Sequence, residues 1–67
     1  MKLYKIKTND NDIYIQYIII GVNGIKAVPT LESEEAAIYE EDKANVYLDI
    51  LNKENKNEFI LEECGEI

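Results

Sequence analysis

The chain has 67 residues, 46% of them hydrophobic, with seven Lys against fourteen Asp and Glu for a formal charge of −7. A chain this short makes one domain, 1–67, and buries only about 60% of its unfolded surface, so a deep, dry catalytic cleft is hard to build. The hydrophobic fraction is too high for disorder, no apolar run is long enough for a transmembrane helix, and an acidic surface repels nucleic acid.

The charge is lopsided. Residues 1–29 hold four Lys against two Asp, a balance of +2; residues 30–67 hold three Lys against two Asp and ten Glu, a balance of −9. The N-terminus does not read as a signal peptide, because no apolar stretch and cleavage site follow its basic residues. Cys64 has no internal partner, which points to a reducing, cytoplasmic setting. Arg, His and Trp are absent, while Lys, Asn, Ile and Tyr are abundant. That usage is expected of an A/T-rich genome, such as a low-GC bacterium or one of its phages.

In chain order, Leu3 to Lys7 alternates as a half-buried strand, with Tyr4 and Ile6 on one side and Lys5 and Lys7 on the other. Asn9 to Asp12 is a turn cluster. Ile13 to Val22 is a second strand rich in Ile and Tyr. Asn23-Gly24 predicts a two-residue type I′ hairpin that sets Val22 opposite Ile25 and Ile20 opposite Ala27. Ile25 to Val28 is the third strand, ended or kept at an edge by Pro29. A loop at Asn9–Asp12 sets Ile6 opposite Ile15 and Tyr4 opposite Tyr17. One face then carries Tyr4, Ile6, Ile13, Ile15, Tyr17 and Ile19. The other carries Tyr14, Ile18, Ile20, Val22, Ile25 and Ala27, and one helix cannot easily cover both.

Ala36 to Tyr39 reads as a short fourth strand, or else as the first turns of a helix capped by Ser33. The strand is preferred, because an extended helix would put Glu40 and Glu41 on the apolar stripe. Residues 42–54 form the helix, with Ala44, Tyr47, Leu48 and Leu51 at i, i+3, i+4, i+7, Asp42 as N-cap and Lys53 at the negative end of the dipole. Asn52, Asn55 and Asn57 favour its termination. Glu58 to Glu63 is a last strand, with Phe59 and Leu61 on one side and Ile60 on the other. If it neighbours the fourth strand in parallel, the crossover is right-handed. The expected fold is α+β: an antiparallel sheet of four to five strands with one helix packed on one face, in the order β-β-β-β-α-β.

Six acids, Glu32, Glu34, Glu35, Glu40, Glu41 and Asp42, lie within eleven residues. They read in two ways. One is a solvated face that keeps a small domain soluble. The other is an anionic surface that docks on a basic groove of the kind that holds a phosphate backbone. Asp10-Asn11-Asp12 lacks the Gly and the closing Glu of a calcium loop, so no metal site is expected. Catalysis finds no support: His, the commonest general base, is missing. Cys64 has no base and sits among Glu62, Glu63 and Glu66, which disfavour a thiolate. No glycine-rich phosphate loop is present, and no cofactor is expected. The Lys2, Lys5 and Lys7 cluster is too small for direct nucleic-acid binding and suits edge-strand protection instead.

The run Asp42-Lys43-Ala44-Asn45-Val46-Tyr47-Leu48-Asp49-Ile50-Leu51-Asn52 followed by Glu58-Phe59-Ile60-Leu61-Glu62-Glu63 resembles the helix–strand ending of short accessory proteins of low-GC Gram-positive bacteria and their phages. It covers about the last third of the chain. Small acidic proteins of that group include anti-CRISPR and other anti-defence inhibitors. The resemblance implies a phage or mobile-element origin and an inhibitory role. It supplies no site residues.

The leading expectation is therefore a non-enzymatic, phage-encoded binding protein in the cytoplasm of a bacterial host. It would inhibit a nucleic-acid-processing or defence protein through Glu32, Glu34, Glu35, Glu40, Glu41 and Asp42 on a basic surface, with no membrane or direct nucleic-acid contact. The alternative is a homodimeric structural or regulatory module that pairs through Tyr14, Ile18 and Ile20.

Overall fold

A computed structural model describes residues 1–9, 12–54 and 58–67. Five strands and one helix follow one another as β1 (Lys2–Thr8), β2 (Tyr14–Gly21), β3 (Gly24–Thr30), β4 (Tyr39–Glu40), α1 (Glu41–Glu54) and β5 (Phe59–Glu66), with a 3₁₀ turn at Ser33–Glu35 before β4. Every strand pairing is antiparallel. The expected α+β architecture, one sheet with one helix against it, is the observed one. The Asn9–Asp12 turn and the helix stop at Asn55 and Asn57 fall partly outside the described residues.

β1 is the centre of the sheet. Along one edge it pairs with β5 over its whole length, from Lys2↔Glu66 to Thr8↔Phe59. The opposite edge is shared: β2 takes the C-terminal end at Lys7↔Tyr14, and β4 takes the N-terminal end at Leu3↔Glu40 and Tyr4↔Tyr39. Tyr4 therefore faces Tyr39 rather than Tyr17. β2 leaves β1 directly after Tyr14, and Ala37 closes the gap by donating its N–H to the Ile15 carbonyl at 3.0 Å. β4 and β5 flank β1 on opposite sides, so they are not neighbours.

The departure of β2 coincides with a bulge between Ile15 and Tyr17, where the ladder to β3 shifts from Ile15↔Pro29 to Tyr17↔Val28. The extra residue, Gln16, breaks the two-residue alternation. Ile15 before it and Ile18 after it both turn to the helix side. This corrects the two-faced reading of the sequence, which ran strict alternation from Ile13 to Val22.

The hairpin turn differs as well. Ile20 pairs with Ile25 and Gly21 with Gly24, so the loop is Val22-Asn23 rather than Asn23-Gly24. Among the described residues only Gly24 has positive φ, 117°, and a type I′ turn would need it at both loop positions. Glycine takes the one conformation that a side chain would strain.

The core lies between the sheet and α1. Ile6, Ile15, Leu51 and Phe59 are buried together, with Ile18, Ala27, Tyr39, Tyr47, Leu48 and Leu61 packed around them. Ala44 is buried on the same stripe of the helix. The Tyr39 and Tyr47 rings meet edge to face with centroids 5.0 Å apart, a favoured aromatic geometry. The helix begins at Glu41, so Asp42 lies in its first turn instead of capping it. At the other end, the Asn52 side chain accepts from the Phe59 N–H at 2.7 Å and donates to the Phe59 carbonyl at 3.2 Å. This two-way bond fixes where β5 starts relative to the helix. β5 runs on to Glu66, with Cys64 as its unpaired bulge residue.

Candidate functional site

The acids of the chain fall into two populations. Of those on β5, Glu62 and Glu63 are matched by lysines of β1. Lys7 Nζ lies 3.8 Å from Glu62 Oε2, and Lys2 Nζ lies 3.4 Å from Glu63 Oε1. Glu63 beside it is the main reason that the Lys2 ammonium is held above its ordinary pKa. Lys7 also bonds Asp12 at 2.9 Å, which raises the lysine and lowers the carboxyl. Glu62 and Glu63 are thus partly neutralised by their own sheet.

The acids between Thr30 and α1 are different: none of Glu32, Glu34, Glu35, Glu40, Glu41 and Asp42 makes an ion pair among the described residues. Five of them sit on exposed loop, turn or helix-end positions, and Glu40 ends β4. They form two groups. Glu32, Glu34 and Glu35 surround the 3₁₀ turn; Glu40, Glu41 and Asp42 gather where β4 becomes α1. A cleft of about 250 Å³ lies at the second group, and Met1 and Lys2 also line it.

The first group is held in place by residues that sequence reasoning passed over. Lys5 Nζ donates to the Ser33 carbonyl at 2.8 Å and to Ser33 Oγ at 3.1 Å. The Thr30 hydroxyl accepts from the Glu32 N–H at 3.1 Å and donates to Glu35 Oε2 at 3.2 Å. A Thr two residues before an acid is a local turn signal of this type; the Lys5 reach, 28 residues away in sequence, has no local signature. In the second group, Glu41 and Asp42 occupy the first turn of α1, where negative charge also stabilises the helix dipole.

The apolar set Tyr14, Ile18 and Ile20 does not form one surface. Tyr14 is only 8% exposed; its hydroxyl donates to both oxygens of Glu62 at 3.1 Å and Lys7 Nζ stands 5.6 Å from its ring centre. Ile18 packs against the core cluster. Ile20 is 68% exposed. The bulge at Gln16 separates Tyr14 from the other two, because Tyr14 stays on the face away from the helix while Ile18 turns towards it.

The remaining surface offers little chemistry. Among the described residues no three His, Cys, Asp or Glu are placed to hold a metal ion, and no helix is long and apolar enough to cross a membrane. A cleft of about 400 Å³ beside β3 has mostly apolar walls, including Ile15, Ala27 and Phe59, with Lys26 as the one charged residue lining it. Besides the surface pairs at Lys2, Lys7 and Asp12, one further group among the described residues is shifted: burial pushes the Tyr39 phenol up. No protein-family model, curated protein or solved structure matches the chain.

Proposed function

We propose that this chain is a non-enzymatic binding protein that docks Glu32, Glu34, Glu35, Glu40, Glu41 and Asp42 on a basic surface of another protein. The observation that carries the reading is the contrast in pairing: among the described residues Glu62 and Glu63 of β5 have ion-pair partners on β1, and these six make none. Unpaired carboxylates attract a basic surface and speed its approach. A groove that normally holds a phosphate backbone is lined with such cations, so the partner is a nucleic-acid-processing protein and the effect of docking is inhibition. The composition and the helix–strand ending support a phage-encoded inhibitor acting in a bacterial cytoplasm.

The test is capture from a low-GC Gram-positive lysate, comparing the wild-type chain with a variant carrying Glu34→Lys, Glu35→Lys, Glu40→Lys and Glu41→Lys. The expected result is a partner that binds the wild type, is released by high salt or by added duplex DNA, and is lost in the variant while circular dichroism shows the fold retained. Equal capture by both chains overturns the reading.

A further inference from the structure

The sheet ends in β3 on one side and in β5 on the other. β3 contains Pro29, which has no N–H to offer a further strand. β5 contains no Pro and, among the described residues, pairs only with β1. The bonds at its start fix which way its backbone points. The Glu58 carbonyl accepts from the Asn9 N–H on the β1 side. The Phe59 N–H and carbonyl are taken by the Asn52 side chain, so they point to the other side. In an antiparallel ladder this direction alternates from residue to residue, and the register to β1 is unbroken from Phe59 to Glu63. The N–H and C=O of Leu61 and of Glu63 therefore point away from β1. Among the described residues no other strand or turn bonds them.

We propose that this outer edge of β5 is a strand-docking site, on which a short extended segment of a partner protein with Lys or Arg at alternate positions adds as a further strand. Asn52 already supplies the first rung: its side-chain amide donates and accepts as a peptide group does. An added strand continues from there along Leu61 and Glu63 by backbone bonds. The bulge at Cys64 limits the regular edge to Phe59–Glu63, so the docked segment is short.

Charge selects the occupant. Residues 58–67 contain four Glu and no Lys. A second copy of β5 on this edge would set those acids against one another, and like charges across a strand pair destabilise it. A cationic strand meets opposite charge instead. The inner edge of β5 already holds such a strand, since β1 brings Lys2 to 3.4 Å from Glu63 and Lys7 to 3.8 Å from Glu62. These contacts leave the Glu63 side chain 51% exposed, and Glu66 is exposed and makes no ion pair among the described residues. Negative charge thus remains for a second basic strand. The site does not rest on the docking of the six acids before α1, because β4 and β5 flank β1 on opposite sides.

The experiment is an NMR titration of the intact chain with three short synthetic peptides, acetylated and amidated at their ends. One alternates Lys with Thr, one alternates Glu with Thr, and one is the Lys peptide methylated on alternate backbone nitrogens, so that it cannot extend a ladder. The Lys peptide should shift the amide signals of Leu61 and Glu63 and slow their exchange with solvent. The other two should bind about tenfold or more weakly, through reversed cross-strand charge and lost backbone bonds respectively. Glu63→Pro removes an outward N–H that the ladder to β1 does not use, and should weaken the Lys peptide by a similar factor. If circular dichroism shows that this variant fails to fold, the methylated peptide makes the same comparison on the wild-type chain. The chain with Glu34→Lys, Glu35→Lys, Glu40→Lys and Glu41→Lys should bind the Lys peptide as wild type does, which separates this edge from the acidic surface before α1. No binding of the Lys peptide up to about millimolar concentration overturns the proposal. So does equal binding of the methylated peptide, or a set of shifts confined to Glu32–Asp42.

Discussion

Over β1 and β5 the outer face of the sheet carries Lys5, Lys7 and Glu62, with Tyr14 bonded among them; over β2 and β3 it carries Tyr17, Ile19 and Val28. The two halves face solvent in the same direction and solve the exposure problem differently. Lys7 and Glu62 make a polar network that suits water, and Tyr14 is nearly buried beneath it. The hairpin has no such network, since residues 13–31 contain no acid at all. The opposite side of the sheet repeats the division. Ile6, Phe59 and Leu61 of β1 and β5 lie under α1, while Ile20 near the hairpin tip remains largely exposed. The lesson is that the core under α1 is built mainly from β1 and β5, whereas the hairpin leaves Tyr17, Ile19 and Ile20 about half or more exposed.

Ile6→Ala, at a fully buried site of β1, should lose about 2–5 kcal/mol in urea denaturation through lost burial and the cavity left behind. Ile20→Ala in the hairpin should change stability by roughly 0.5 kcal/mol or less, as surface substitutions do. Similar losses at both positions would erase the distinction between the two halves. Asn52→Ala should follow at about 1–3 kcal/mol, because it leaves both polar groups of the Phe59 backbone without their side-chain partner. Amide exchange at Phe59 should accelerate in the same variant.

A smaller pair of effects compares two tyrosines on the outer face. Tyr14→Phe removes the hydroxyl that bonds Glu62 and should cost about 0.5–1.5 kcal/mol. Tyr17→Phe, on the exposed ribbon, should leave monomer stability unchanged within the error of a denaturation curve.

The smallest effect is the dependence on pH. Tyr39, raised by burial, and Lys2 and Lys7, raised by Glu63 and Asp12, all bind their protons more tightly in the folded chain. Their contributions are complete below the ordinary values of 10.0 and 10.5 and are lost as pH rises through the higher folded values. Asp12, lowered by Lys7, acts in the other sense. Its contribution is present above the ordinary 3.8 and is lost as pH falls through the lower folded value. Unfolding at neutral and alkaline pH should therefore show Tyr39→Phe losing less stability than wild type between the two. An equal loss would mean that the Tyr39 phenol does not report its burial.

The sequence by itself determined the elements whose signals are local. The i, i+3, i+4, i+7 stripe placed Ala44, Tyr47, Leu48 and Leu51 on the core side of α1, and the Phe59/Leu61 alternation placed the inner face of β5. The cluster of acids before α1 was legible as charge, though not its lack of ion pairs, since whether a carboxylate is neutralised depends on which strand lies beside it. Only the tertiary structure decided that β1 shares one edge between β2 and β4, that Gln16 is the bulge that turns Ile18 into the core, and that Lys5 anchors Ser33. Each of these depends on groups far apart in the chain competing for the same backbone edge or cavity. Alternation along one strand carries no record of where its neighbour departs, so Tyr14, Ile18 and Ile20 looked like one surface in the sequence and lie in three different environments in the fold.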